Sequence, residues 1–136
     1  MSTNNKDLVR RMITWWATGD LAVIDETNAS EFVLHRSGGD EVSGRDAHKS
    51  LLSSFLSMFS KRELSIDDLI AEGDRVVMLY TWRAVHSGES FGLKPTKNRV
   101  ASRSLAIYRV ANGRVVEEWE EHDTAGLMRQ LTAPSN

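Results

Sequence analysis

Apolar side chains in the first part of the chain recur at helical spacing. Leu8, Met12 and Trp15, with Ile13 and Trp16 beside them, fall three and four residues apart behind a polar opening, and Gly19 follows as a stop, so residues 5–18 read as an amphipathic helix. Asp20 is placed to cap a second, short helix carrying Leu21 and Ile24. "EFVLHR" reads as a brief strand and "SGGDEVSG", rich in glycine and small polar residues, as a loop. From Asp46 to about Lys61 the residues Leu51, Leu52, Phe55, Leu56, Met58 and Phe59 make a broad stripe, which predicts the longest helix. The period then changes from 3.6 to 2. "ELSIDDLIAEGD", "RVVMLYTWRAVH", "NRVASRSLAIYRV" and "RVVEEWEEHD" read as four successive strands. Three helices followed by four strands predict an α+β fold, in one domain spanning residues 1–136.

The last two strands are joined through Asn112-Gly113, the pair favoured in a type I′ hairpin turn. A regular hairpin then sets Tyr108 opposite Glu117, Ala106 opposite Trp119, Ser104 opposite Glu121 and Ser102 opposite Asp123, all on one face. The other face collects Arg109, Ile107, Leu105 and Arg103 with Val116, Glu118, Glu120 and His122, a set of crossed charges suited to solvent or to a subunit contact. Ser102, Ser104 and Ala106 are small, so elements laid over the first face leave space above them, walled by Tyr108 and Trp119. Glu117 and Glu121 fit that face badly: either the strand end is exposed or a bulge shifts the register.

Asp123 projects into the predicted space, where lost hydration raises a carboxyl pKa and suits it to proton transfer. It also precedes "TAGLMRQL", which has the period of a short helix, so a capping role stands beside the chemical one. His86 ends the strand whose even positions include Tyr80 and Trp82, and it is read as a group at the pocket mouth that polarises a carbonyl. His35, Tyr80, Trp82, Ser104, Trp119 and Trp16 are the candidates for shaping the cavity. His48, beside Lys49 on the first turn of the long helix, is read as solvent-facing. The four histidines show no H-x-H or H-E-x-x-H spacing, so no metal site is expected, and no G-x-S-x-G marks a serine nucleophile.

Composition narrows the classes further. Seventeen basic and nineteen acidic residues leave a net charge of -2, which gives no electrostatic footprint for nucleic acid or an anionic membrane. The chain has no cysteine, which removes disulfides and thiolate chemistry and fits a cytoplasmic location. Neither export nor membrane insertion is expected from the polar start and the short uncharged runs.

The order of elements, with "GRDAHKSLLSSFLSMF", "IAEGDRVVMLYTWRAVHSGESFGLKPT" and "GRVVEEWEEHDTAGLMRQL", resembles the SnoaL-like polyketide cyclase family of the NTF2-like superfamily over most of the chain. The resemblance implies a cone-shaped barrel, a curved antiparallel sheet wrapped around N-terminal helices to leave one deep pocket. It implies a cofactor-free enzyme that closes a ring by intramolecular aldol condensation, with Asp123, matched by W-x-x-x-D, as acid/base. The chain departs from the family pattern at Lys97, where glycine is usual, at Ser60, where proline is common, and after Gln130-Leu131, where a glycine is missing. The expected ligand is a small hydrophobic carbonyl compound. A noncatalytic binding protein and an isomerase or epoxide hydrolase on the same scaffold are the alternatives, and a homodimer or higher homo-oligomer through the sheet's outer face is expected.

Overall fold

A computed structural model describes residues 2–134 of the chain. Its elements run α1 (Ser2–Met12), α2 (Trp15–Thr18), α3 (Ala22–Thr27), β1 (Asn28–His35), β2 (Glu41–Ser43), α4 (Arg45–Met58), β3 (Phe59–Glu72), β4 (Arg75–His86), β5 (Arg99–Ala111), β6 (Arg114–His122) and α5 (Thr124–Thr132). The helix predicted over 5–18 is broken in two. The Thr14 hydroxyl donates to Arg11 O at 2.7 Å and that of Thr18 to Thr14 O at 2.8 Å, which bends the ladder between them. Gly19 closes α2 in a left-handed conformation, φ 74°, with its N–H on Trp15 O at 2.8 Å. Asp20, expected as the cap of the next helix, stands one residue before its N-cap Leu21, with Oδ1 accepting from Ala22 N at 2.9 Å.

Two sequence boundaries move. "SGGDEVSG" contains the short strand β2, which pairs with β1, and α4 stops at Met58, so that Phe59 already opens β3. The six strands form one sheet in the order β2-β1-β6-β5-β4-β3. The chain walks through β3, β4, β5 and β6 as antiparallel neighbours, and β1 lies parallel against β6. Irregular register between Ser60 and Glu63 and between Ile66 and Asp68 bends the β3 edge. Helices cover the inner face, burying Val9, Met12, Ile24 and Leu52 against Phe32, Leu34, Val76, Met78 and Tyr108. The alternation read from β4 and β5 holds: Val76, Met78 and Tyr80 point inward, as do Ser102, Ser104 and Ala106. Among the described residues no helix is long and apolar enough to cross a membrane.

Candidate active site

The inner face of β6 is set by one extra residue. The hairpin turn is the predicted one, with Asn112 at φ 52° and Gly113 at φ 74°, and Ala111 pairs with Arg114. Val110 then pairs with Val115, but Arg109 pairs with Glu117, leaving Val116 as a bulge. From there on every side chain changes face. Tyr108 is opposite Glu118, Ala106 opposite Glu120 and Ser104 opposite His122, while Trp119 moves across to Ile107 on the outer surface. The regular register is thereby corrected, and polar partners on the outer face account for the change. Glu117 lies 2.6 Å from His35 Nε2 and accepts from Arg109 Nε at 3.0 Å. Trp119 stacks on His35 at 5.1 Å between ring centroids, with the Arg75 guanidinium 4.9 Å from its own.

Between the sheet and the helices lies a cavity of about 340 Å³. Trp16 and Trp82, packed edge to face with centroids 5.3 Å apart, form part of its wall with Met12, Leu52, Phe55 and Phe59. The Trp16 indole is oriented by donating to Glu63 O at 3.0 Å. Ile24, Leu34, His48, Tyr80, Tyr108 and Glu118 are the buried residues at its floor, whereas Asp40, Phe91, Asp123 and Thr124 are exposed and mark its mouth.

Three titratable side chains of β6 climb from floor to mouth. Glu118 is 6% exposed, and burial first, then the nearby charge of Glu120, pushes its pKa well above the usual carboxylate value. Burial thus favours its protonated form. The Glu120 side chain, 12% exposed, lies 3.1 Å from His122 Nε2 and 3.8 Å from Arg36 Nε. His122 Nδ1 is 2.6 Å from Ser104 Oγ, and its backbone N–H donates to Ser37 Oγ at 3.0 Å. Each ring nitrogen of His122 therefore has a partner, which fixes the plane of the imidazole. Burial likewise pushes the Tyr80 and Tyr108 phenols well above their ordinary pKa, so both stay neutral.

His48 corrects an expectation. Rather than facing solvent it is 4% exposed and borders the cavity, its ring 4.5 Å from that of Phe32. Burial lowers its pKa to about 4, so the imidazole is neutral at pH 7, and Nδ1 has no hydrogen-bond partner. The signal was present in the sequence: His48 precedes Leu51, Leu52 and Phe55 by three, four and seven residues, on the apolar stripe. For Glu118 and Glu120 the signal was the poor fit of Glu117 and Glu121 to the inner face, and of its two explanations the bulge is the one observed.

The other predicted residues are distributed unevenly. Trp16, Tyr80 and Trp82 border the cavity. Ser104, 2% exposed, sits behind His122 rather than on the cavity surface, and His35 and Trp119 belong to the outer face. His86 is fully buried away from the cavity. Its Nδ1 accepts from Thr96 N at 3.1 Å, which leaves Nε2 to donate to Ser90 Oγ at 2.8 Å, so the ring pins the 87–98 loop instead of reaching the mouth. Asp123 borders the mouth but is exposed, rather than in the water-poor space of the regular register. Its Oδ1 accepts the Gly126 N–H at 2.9 Å and caps α5. A Cβ at position 126 would stand 2.1 Å from Asp123 Oδ2, so glycine is needed for this cap. Lys97 has φ 64°, the left-handed conformation that glycine adopts without strain. Among the described residues no three His, Asp or Glu side chains converge as ligands of a metal ion.

Known proteins share this architecture. A structure from Jannaschia Sp. CCS1, provisionally described as a SnoaL-like polyketide cyclase, superposes with a TM-score of 0.90 at 23% identity, covering 98% of this chain and 94% of the other. AclR from Streptomyces galilaeus, provisionally described as a hydroxylase, gives 0.88 at 29% identity over 100% and 86% of the two chains. IdmH from Streptomyces antibioticus, provisionally described as a polyketide cyclase, gives 0.83 at 26% identity over 95% and 99%. No curated protein sequence matches the chain. The family model for SnoaL-like polyketide cyclase matches residues 6–131, nearly the whole length, and the chain belongs to that family.

Proposed function

We propose that the protein is a cyclase-type enzyme that moves protons on a hydrophobic carbonyl compound held in the cavity, without an organic cofactor, and that Glu118 and Glu120 carry the chemistry. One observation supports this above the rest: two carboxyl groups on adjacent inward positions of β6 sit in different environments, Glu118 buried with its pKa raised and Glu120 beside His122. A buried acid beside a paired carboxylate is the arrangement that supplies a proton donor and a proton acceptor at one pH. In this reading Glu120 takes the proton alpha to a carbonyl and holds it, with His122 Nε2, 3.1 Å away, orienting its carboxyl group. The Glu118 O–H donates a hydrogen bond to the enolate oxygen as charge develops there. The enolate carbon then attacks a second carbonyl of the same molecule, a carbon–carbon bond forms as that carbonyl's π bond opens, and the new alkoxide takes back the proton held on Glu120.

Ser104 is a positioning residue in this scheme, holding His122 through Nδ1. Asp123, the family resemblance's acid/base, is the competing assignment, and asparagine separates the two because it caps a helix about as well as aspartate. The test is deuterium uptake at the alpha carbon of 2-tetralone, a fused-ring ketone, followed by mass spectrometry in heavy water. Glu118→Gln and Glu120→Gln are each expected to slow enzyme-dependent exchange by about 100-fold or more, and Asp123→Asn by less than about threefold. Loss of exchange in Asp123→Asn with activity retained in both glutamine variants would place the chemistry at the helix cap.

A further inference from the structure

We infer that the cavity floor is a recognition site for a hydroxyl group on the leading end of a fused-ring ligand, with the His48 imidazole as its hydrogen-bonding partner. The inference rests on the cavity being the substrate site, as proposed above, and names the class of compound that enters it. Size comes first. Engineered cavities of about 150 Å³ admit benzene, so about 340 Å³ accommodates two fused rings with a substituent. The wall toward those rings is aromatic, with Trp16, Trp82 and Phe59 in mutual edge contact.

The floor is less apolar than the wall. His48 is 4% exposed, Phe32 covers one side of its ring, and Nδ1 is shut off from water without a partner in the chain. Nδ1 is closed to the cavity as well, so the nitrogen that a ligand in the cavity meets is Nε2, which is not buried in this way and has no hydrogen-bond partner among the described residues. A neutral imidazole offers one N–H and one lone pair. A hydroxyl both donates and accepts, so it satisfies Nε2 in either tautomer. A carbonyl oxygen satisfies only the N–H. A carboxylate is disfavoured, because Glu118 and Glu120 line the same side and Arg36, near the mouth, is the one arginine or lysine bordering the cavity among the described residues. The ligand is therefore oriented: its hydroxyl goes in first, and any anionic group trails toward Arg36.

The probes are 2-naphthol and 2-methoxynaphthalene, which differ in the ability to donate a hydrogen bond, with binding read by quenching of tryptophan fluorescence. Wild type is expected to bind 2-naphthol roughly five- to tenfold more tightly. His48→Leu should bring the two affinities within about twofold while keeping that for the ether, and His48→Asn, which retains a donor and an acceptor, should restore part of the preference. Equal affinities in wild type, an undiminished preference in His48→Leu, or no binding of either compound by the folded protein would overturn the inference. These readouts are independent of turnover. Discrimination in a wild-type protein that exchanges no alpha deuterium would sink the proton-transfer reading alone, and exchange without discrimination would sink this one alone.

Discussion

Replacing Glu118 by glutamine tests the buried acid through stability, with no substrate required. Glu118 is more basic in the folded chain than a free glutamate of pKa 4.5, through burial first and the Glu120 charge second. A carboxyl shifted this way contributes stability that is fully present below the unfolded pKa and is lost as pH rises toward the folded one, since the unfolded chain releases the proton first. His48 works in the opposite sense. Its folded pKa of about 4 lies below the ordinary 6.5, so its contribution is fully present above 6.5 and is lost as pH falls toward 4. Between about pH 5 and pH 6 the two effects oppose each other, each bounded by the 1.4 kcal/mol per pH unit of one whole proton and reduced to at most about 1 kcal/mol by partial titration of the unfolded chain. They offset each other in the wild type. The assay is urea unfolding at about pH 5 and about pH 6, followed by tryptophan fluorescence. Relative to wild type, Glu118→Gln should gain up to about 1 kcal/mol on going to the higher pH, and His48→Leu should lose up to about as much. Other titrating groups largely cancel in these differences. If the Glu118→Gln difference does not change with pH, the carboxyl is not held as an acid, and the donor in the proposed chemistry is gone.

Three further outcomes follow from local geometry. Lys97→Gly relieves the left-handed backbone at φ 64° and should raise the thermal midpoint, by up to about 1 kcal/mol of stability; a lowered midpoint would show that the lysine is not strained there. Asp123→Ala removes the bond from Gly126 N–H and should lower stability by about 1 kcal/mol, with Asp123→Asn losing at most a few tenths; equal losses in denaturant titration would refute the capping account. Deleting Val116 makes the hairpin regular while keeping Arg109 opposite Glu117 and Tyr108 opposite Glu118, so the variant should fold with wild-type circular dichroism and retain that pairing by NMR; loss of the Arg109–Glu117 pairing would refute the register described here.

Much of the framework was readable locally. The inward positions of β4 and β5, the small residues Ser102, Ser104 and Ala106, and the Asn112-Gly113 turn follow from alternation and backbone preference, which act over a few residues. The pocket argument was legible in part: Ser102 and Tyr108 border the cavity, with Trp16, Tyr80 and Trp82, whereas Ser104, Ala106 and Trp119 do not. His48 was legible too, through its spacing to Leu51, Leu52 and Phe55, although its charge-bearing neighbour Lys49 pointed the reading outward.

The chemistry of β6 was decided elsewhere. "RVVEEWEEHD" alternates acceptably in either phase, so the strand alone does not choose whether Glu117, Trp119 and Glu121 or Glu118, Glu120 and His122 face inward. Groups on other strands make that choice: His35 on β1, Arg75 on β4 and Arg109 on β5 receive Trp119 and Glu117 on the outer surface. Ser37 and Ser104 receive His122. His86 was misplaced by a related cause, since the 87–98 loop that folds back over the end of β4 supplies the partners for both its nitrogens. Local sequence determines which faces a strand can have, because alternation is a property of the backbone. Which face becomes the inside is a sum over contacts with strands brought together only by folding, and a single bulged residue is enough to reverse it.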